Sequence, residues 1–584
     1  MKPHAIHYDV RFNTPQSHLF ELECHIARPN AEGQRLSLPA WLPGSYLVRD
    51  FARHIVSIEA SSKGKPIQLR KLDKHTWLAA PCKSALVVRY QVYAYDLSVR
   101  TAYLDHTRAY FNGSSLFLQV AGQEENACSI AIHHPGKIAA GWQVATTLPA
   151  CGTDKHGFGL YEANNYQSLI DYPVEIGTLA IAEFKAMGVP HRLIVSGRHH
   201  ADLKAISRDL KKVCEHHIRF FGAAPFQRYD FLLYAAADNQ YGGLEHCDST
   251  SLICPRSWLP VKHEKHDQQQ YQDFLGLCSH EYFHAWHVKR IRPSVFANPD
   301  LGREAYTRLL WVFEGFTAYY DTLALARSGL MSEQEYLAAL SKDINRLLRT
   351  PGRKVQPLEE SSFDAWIKLY KPDENTPNSQ ISYYLKGSLV ALAIDLSLRV
   401  KGRSLDEVML ALWRRYNDGV LADEGSMQTL IEETCGDKLA AMFRDCVQGC
   451  EDPPLEKLLS KFGISFDSPP IGDVDLSREW LGLQFANDDT RISHVYTGSA
   501  AEEAGLAAGD VLIAHNNLKA SIKSIKQQLK RGNQRLHLHF FRRDELMTAS
   551  IKPRPHGLAN VSLALSEKRK PEQDQLRRAW LSIN

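Results

Sequence analysis

Along roughly the first 175 positions, apolar and polar residues alternate in short runs. Ala85-Leu86-Val87-Val88-Arg89-Tyr90-Gln91-Val92-Tyr93 is one of them. A period of two puts one side of a strand on a core and the other in water. Turn pairs such as Pro43-Gly44 and Asn112-Gly113 separate the runs. Short strands at this spacing predict a β-rich domain over 1–175, built as a sandwich or a large antiparallel sheet. From about position 200 the period lengthens. Leu203–Phe221 carries apolar residues at helical spacing, 228–236 is strand-like, and 271–292 is helical up to Pro293, whose ring cannot continue a helix. Helical spacing dominates 303–460, with long segments at 309–328, 333–348 and 383–400. Pro453-Pro454 and Ser468-Pro469-Pro470 mark a linker. A compact mixed unit with glycine-punctuated strands follows over 478–553. The tail, 554–584, carries the charged run Glu567-Lys568-Arg569-Lys570-Pro571-Glu572 and then a short amphipathic segment near 576–581.

This organisation is multidomain α+β, and 584 residues are too many for one core. A net charge of +3 with both signs mixed gives no footprint for nucleic acid or an anionic membrane, so neither is expected as a partner. No run of about 18 apolar residues is found, so no membrane span is expected. The first residues, Met1-Lys2-Pro3-His4, show no apolar run, so no secretory signal is expected. Eleven scattered cysteines, an odd number, read as reduced thiols of a cytoplasmic protein. Cys247, Cys254 and Cys278 are read as small buried residues, not metal ligands.

The chemistry lies in His280-Glu281-Tyr282-Phe283-His284, an HExxH motif. Residues four apart share one face of a helix, so both imidazoles reach one metal ion. Glu281, one step round, can touch an attacking water without becoming a ligand. The flanks Phe274, Leu275, Leu277, Tyr282, Phe283 and Trp286 predict a buried helix, whose polar residues need partners. A third ligand must follow. The metzincin pattern needs a glycine and a third histidine soon after, and 288–293 has neither. Thermolysin-type sites take a glutamate from a second helix. Glu314, within Trp311-Val312-Phe313-Glu314-Gly315-Phe316-Thr317, fits. Asp321 stands two turns further on and can hold a ligating imidazole from behind. His287 is read as a neighbour, not a ligand.

HEYFHAWHVKRIRP (280–293) followed by WVFEGFTAYYD (311–321) resembles the glycyl aminopeptidase family of gluzincin metallopeptidases, distantly similar to aminopeptidase N. WLPGSYLVRDFARH (41–54), DLSVRTAYLD (96–105) and YFNGSSLFL (110–118) resemble its N-terminal domain. LGLQF (481–485) with GSAAEEAGLAAGDVLIAHN (498–516) looks like a PDZ domain. The resemblance implies a thermolysin-like catalytic α/β part over 176–302, and a helical part over 303–470 carrying the third ligand and a catalytic tyrosine. A PDZ-like domain is implied over 478–553. It implies one Zn²⁺ per chain held by His280, His284 and Glu314, with Glu281 as general base. Tyr241-Gly242-Gly243-Leu244-Glu245-His246 is similar to the GAMEN-type segment, in which the acid binds a free α-ammonium. Glu245 and Gly243 then bind substrate, and His246 stands where relatives have Asn. Read from the residues, Gly-Gly before an acid suggests an edge strand or turn that a substrate backbone can approach. Tyr383-Tyr384-Leu385-Lys386-Gly387 resembles the Tyr-x-Lys-Gly segment, which makes Tyr384 the oxyanion donor, with Tyr383 as the substitute.

The implied function is removal of small N-terminal residues, Gly or Ala, from peptides. Two rivals remain at this stage. One is a zinc endopeptidase that captures unfolded chains, with a C-terminal peptide held at the PDZ-like domain. The other is a PDZ adaptor with a structural zinc, which the presence of Glu281 disfavours.

Overall fold

The computed structural model describes residues 4–136, 140–416, 422–436, 439–469, 476–486, 490–532, 534–557 and 560–581. Pro470 of the expected linker lies outside them. The chain divides into two compact units. One comprises residues 1–305, 320–330 and 412–422; the other comprises 306–319, 331–411 and 423–584.

The first unit opens on an eight-stranded sheet. Its strands run in the order Ala150–Thr153, Gly159–Ala163, Cys128–Ile132, Ile6–Arg11, Leu19–Ile26, Leu86–Tyr93, Ile55–Ser62, Lys65–Ile67. Ile6–Arg11 pairs parallel with Cys128–Ile132 and antiparallel with Leu19–Ile26. The predicted alternation holds. Leu86, Val88, Tyr90 and Val92 are buried, as are Phe20, Leu22, Cys24 and Ile26 opposite them. Two four-stranded sheets complete this β-rich part. Its aromatic and aliphatic core runs from Tyr8 and Phe12 to Phe111 and Phe117.

A mixed five-stranded sheet follows, in the order Ala180–Ala186, Val189–Ser196, Tyr229–Ala236, Ser249–Pro255, Gly242–Glu245. Its three central strands are parallel. The helix Leu203–Phe221 makes the crossover between the first two of these. That helix has the bounds the periodicity predicts; Asp202 caps its start, accepting from the Lys204 and Ala205 amides, and Gly222 in the left-handed region ends it. The helix Gln268–Phe283 packs on Ser249–Pro255 and on the edge strand Gly242–Glu245.

The helix expected to reach Arg292 ends at Phe283. Beyond it the chain closes into turns, with Val288 at φ +111° and its N–H on the Ile291 carbonyl at 2.8 Å. A continued helix would give the His287 carbonyl to the backbone. Here that carbonyl accepts from the His284 ring instead. Local side-chain chemistry thus ends the helix before Pro293 does.

The second unit is mainly helical. Its central helix, Tyr383–Arg399, is buried almost all round. The segment Thr376–Arg399 is long and apolar enough by composition to cross a membrane, but 78% of that window is buried inside the protein, as a core helix requires. Asp395 anchors this helix, accepting from the Tyr319 hydroxyl at 2.6 Å and from Arg399 at 2.9 Å. Trp580 of the C-terminal helix Pro571–Leu581 donates to the Tyr319 hydroxyl at 2.9 Å. Residues 476–551 include a four-stranded sheet and a small core of their own around Leu483, Leu512, Leu538 and Phe540.

The long helix expected over 309–328 is interrupted at one residue. Leu310–Phe313 and Gly315–Arg327 flank Glu314, while the Glu314 N–H still bonds Leu310 O at 2.7 Å and its carbonyl still accepts from Ala318 at 2.8 Å. Gly315 sits against the central helix: a Cβ there would lie 2.6 Å from the Gly387 Cα. This glycine–glycine crossing sets Glu314 beside the first turn of Tyr383–Arg399.

Candidate functional site

His280 and Glu281 lie in the last turn of the helix Gln268–Phe283, and His284 caps its end. The two imidazole rings are 4.6 Å apart, centroid to centroid, at 87°. Each is fixed from behind. His280 Nδ1 is 3.0 Å from Asp321 Oδ2, and His284 Nδ1 is 2.9 Å from the His287 carbonyl. A carbonyl can only accept, so His284 carries its proton on Nδ1. The carboxylate of Asp321, itself held by the Thr322 hydroxyl at 2.7 Å, imposes the same tautomer on His280. Both Nε2 lone pairs are thereby presented as ligands, which is the donor chemistry of a zinc site. His287 contributes through its backbone carbonyl.

Glu281 is buried against the edge strand Gly242–Glu245. A Cβ on Gly243 would fall 2.1 Å from Glu281 Oε1, so only glycine leaves room for this carboxylate. Arg100 anchors the strand, donating to the Gly243 carbonyl at 2.9 Å. Glu281 Oε2 is buried with no hydrogen-bond partner among the described residues. Ligand atoms of Glu245, Glu281 and His284 lie within 4.8 Å of one another. Burial, opposed by His280 and reinforced by Glu245, pushes the Glu281 carboxyl up to about 7. An added cation would act in the opposite sense.

Glu245 is buried at the end of the edge strand, and its backbone pairs with Thr250. It forms no ion pair with lysine or arginine among the described residues, and it lines a pocket of about 270 Å³ with apolar Tyr46, Ile170 and Phe296 and with polar Asn165, Asp171, Lys289 and Arg292. Gly44, at φ +88°, rests on it: a Cβ there would lie 2.5 Å from Glu245 Oε1. His246 turns away. Its Nδ1 is 3.3 Å from Asp171 Oδ1, which also accepts from Lys289 Nζ at 2.6 Å, while the Cys247 amide reaches Oδ2 at 2.9 Å. The histidine in place of asparagine is thus part of a buried charged network. Sequence reasoning missed Asp171, Lys289 and Gly44. Lys289 stands in the motif segment itself, and Gly44 was legible only as a turn.

In the second unit, Tyr384 lies in the first turn of Tyr383–Arg399, which Ser382 caps. Its hydroxyl is 3.2 Å from that of Tyr370. Tyr383, stacked on it at 4.7 Å, is fully buried, whereas Tyr384 is half-buried. Glu314 stands at the crossing described above, seven residues before Asp321 along one helical path. Cys247, Cys254 and Cys278 are free, and burial raises all three thiols.

Asp248, beside this network, gives a pH prediction. Burial raises its carboxyl to about 6, against the hydrogen bond from Thr147 at 2.7 Å and with the help of Asp171. A folded-state value above the unfolded one means that ionisation costs stability. Stability contributed here is gained as pH falls through 6 towards 4. Asp248→Asn should therefore be more stable than the parent at pH 8 by on the order of 1–2 kcal/mol, with the gap closing below about pH 4. Thermal unfolding of both proteins across that range checks it.

The Peptidase M61 N-terminal domain matches residues 7–178, and the M61 glycyl aminopeptidase domain matches residues 273–390. A crystal structure of an aminopeptidase N family protein from Idiomarina loihiensis is 38% identical, covers 99% of this chain and 100% of its own, and superposes with a TM-score of 0.94. An M1 zinc metallopeptidase from Deinococcus radiodurans is 15% identical over 78% of this chain and 96% of its own, with a TM-score of 0.48. A variant of it bound to a Tyr-Ser-Ala substrate is 16% identical over 77% and 95%, with a TM-score of 0.47. A comparison with curated proteins finds no match. By the two domain matches and the full-length likeness at 38% identity, this chain belongs to the M61 glycyl aminopeptidase family and is a metallopeptidase of the aminopeptidase type.

Proposed function

We propose that the protein removes N-terminal residues, small ones such as Gly or Ala, from peptides, using one zinc ion held by His280, His284 and Glu314. One observation carries the reading. Both motif imidazoles are tied through Nδ1, to Asp321 and to the His287 carbonyl, so that both Nε2 atoms serve a common ion. Glu314 enters through helical phase: it precedes Asp321 by two turns on the same face, and Asp321 holds His280.

A bound zinc ion supplies a Lewis acid that acidifies water and polarises a carbonyl. The remaining work falls to the chain. Glu281, in a dry position beside both histidines, takes a proton from the attacking water and passes it to the leaving amine. The Tyr384 hydroxyl, oriented by Tyr370, donates to the oxyanion, a contact typically worth about 3–4 kcal/mol. Glu245 receives the substrate ammonium. Lys289 feels the Glu245 charge, but its ammonium is bound to Asp171 at 2.6 Å, so the substrate ammonium is the cation that completes the buried carboxylate. Its pocket is lined by apolar and polar side chains alike, with Gly44 against the carboxylate, and the preference for a short N-terminal residue is supported by the glycyl aminopeptidase family match.

Residues 478–553 are read as a PDZ-like module by their resemblance. Within Leu481-Gly482-Leu483, which resembles the carboxylate-binding loop of such modules, the Gly482 N–H donates to Arg478 O at 2.9 Å and is committed to the chain itself. Peptide delivery by this module is given no part in the reaction.

Glu314→Ala should lower zinc affinity by at least about 10²-fold, since two histidines alone make a poor site. Metal content after dialysis checks this. Normal occupancy would assign the third ligand elsewhere.

A further inference from the structure

The outer face of the eight-stranded sheet carries a second convergence of ligand-type side chains, made by none of the residues of the HExxH helix. Tyr8, Val10 and Cys24 point into the core, so His7, Asp9, Glu23 and His25 point out. Strand register then pairs them, with His7 opposite His25 and Asp9 opposite Glu23.

The geometry is divided. Asp9 Oδ1 faces His133 Nε2 at 2.6 Å and Arg11 at 3.2 Å. Asp9 Oδ2 faces His7 Nε2 at 3.4 Å and His25 Nε2 at 3.3 Å. Glu23 Oε1 faces Arg89 at 3.1 Å and Arg11 at 3.9 Å, whereas Oε2 faces His25 Nε2 at 3.2 Å. One oxygen of each carboxylate is thus neutralised by guanidinium, and the other is turned to imidazole. Separations of 3.2–3.4 Å are long for charge-assisted hydrogen bonds, which run about 2.7–2.9 Å. The two from His25, 3.3 Å to Asp9 and 3.2 Å to Glu23, match ligand–ligand edges, about 3.3 Å, of a tetrahedron with metal bonds of about 2.0–2.1 Å, and ligand atoms of all three residues lie within 4.8 Å of one another. His7 is oriented from behind, its Nδ1 2.8 Å from Ser129 Oγ, and His133 holds Asp9 in the same way. The histidines are 23–40% exposed, so an ion can enter.

We propose that Asp9, Glu23 and His25, with His7 beside Asp9, form a binding site for a divalent transition-metal ion of zinc type that staples the first two strands of the chain. Metal uptake measured on the full-length, chelator-stripped protein tests it. The parent should take up two equivalents of Zn²⁺, and His25→Ala with Glu23→Gln should take up one while keeping its peptidase activity. In the reverse arm, His280→Ala with His284→Ala should still take up one equivalent. It should show the visible absorption of four-coordinate Co²⁺ and melt at higher temperature with Zn²⁺ present. That last equivalent should vanish when His25→Ala is added. One equivalent in the parent, unchanged by the His25 and Glu23 substitutions, overturns the proposal. So does a folded His280→Ala, His284→Ala protein that takes up no ion. Should that protein not fold, the parent and the His25→Ala, Glu23→Gln comparison decides alone.

Discussion

Glu281→Gln should keep its zinc and lose about 10²–10⁴-fold in kcat. Gln fills the same space beside Gly243 but cannot take a proton. The two imidazoles stay tied through Nδ1 to Asp321 and the His287 carbonyl, so the metal donors are untouched. A loss shared by kcat and kcat/KM, with KM little changed, marks an interaction made only in the transition state. Metal content and steady-state kinetics on one preparation check both halves. Near-parental turnover by a zinc-loaded Gln variant would remove Glu281 from the reaction.

Gly243→Ala should be nearly as damaging, although residue 243 offers no chemistry of its own. The added methyl would stand 2.1 Å from Glu281 Oε1 and 2.5 Å from its Cδ. Either the carboxylate swings away or the edge strand lifts from the helix, and strand motion would also strain the Arg100 contact to the Gly243 carbonyl. Displacing a catalytic group by about 1 Å typically costs about 10²-fold in rate. A fall of that order in kcat is expected, with zinc content and fold retained. Unchanged kcat would mean that Glu281 adapts freely and that its position is not critical.

The residues that were hardest to read from sequence differ from the legible ones in a physical way. Leu203–Phe221 was readable to its ends because periodicity, an Asp202 cap and a terminal Gly222 all agree. The HExxH spacing, and Asp321 as a candidate to hold one ligating imidazole, were legible from helical phase; that the imidazole is that of His280 was not. The early end at Phe283 was not readable, because it depends on one carbonyl choosing an imidazole over the backbone. Nor was the break at Glu314, which arises where Gly315 meets Gly387, 72 residues apart in sequence by their numbering. Asp171 and Gly44 were invisible for the same reason. Each matters through a contact with a residue far along the chain, Lys289 and Glu245, and no local pattern encodes that. Gly243 was legible as a close-approach position, but what approaches it inside the protein is Glu281.

The most direct test of the account compares Ala-p-nitroanilide with its N-acetyl form, using chelator-stripped and zinc-restored enzyme. Acetylation removes the ammonium and leaves the buried Glu245 carboxylate unpaired, a penalty on the order of 2–5 kcal/mol. Activity should be absent without metal and should return with zinc. With zinc bound, kcat/KM for the free amine should exceed that for the blocked one by roughly thirty-fold to several thousand-fold. Equal cleavage of the blocked substrate, or full activity in the stripped protein, would contradict it.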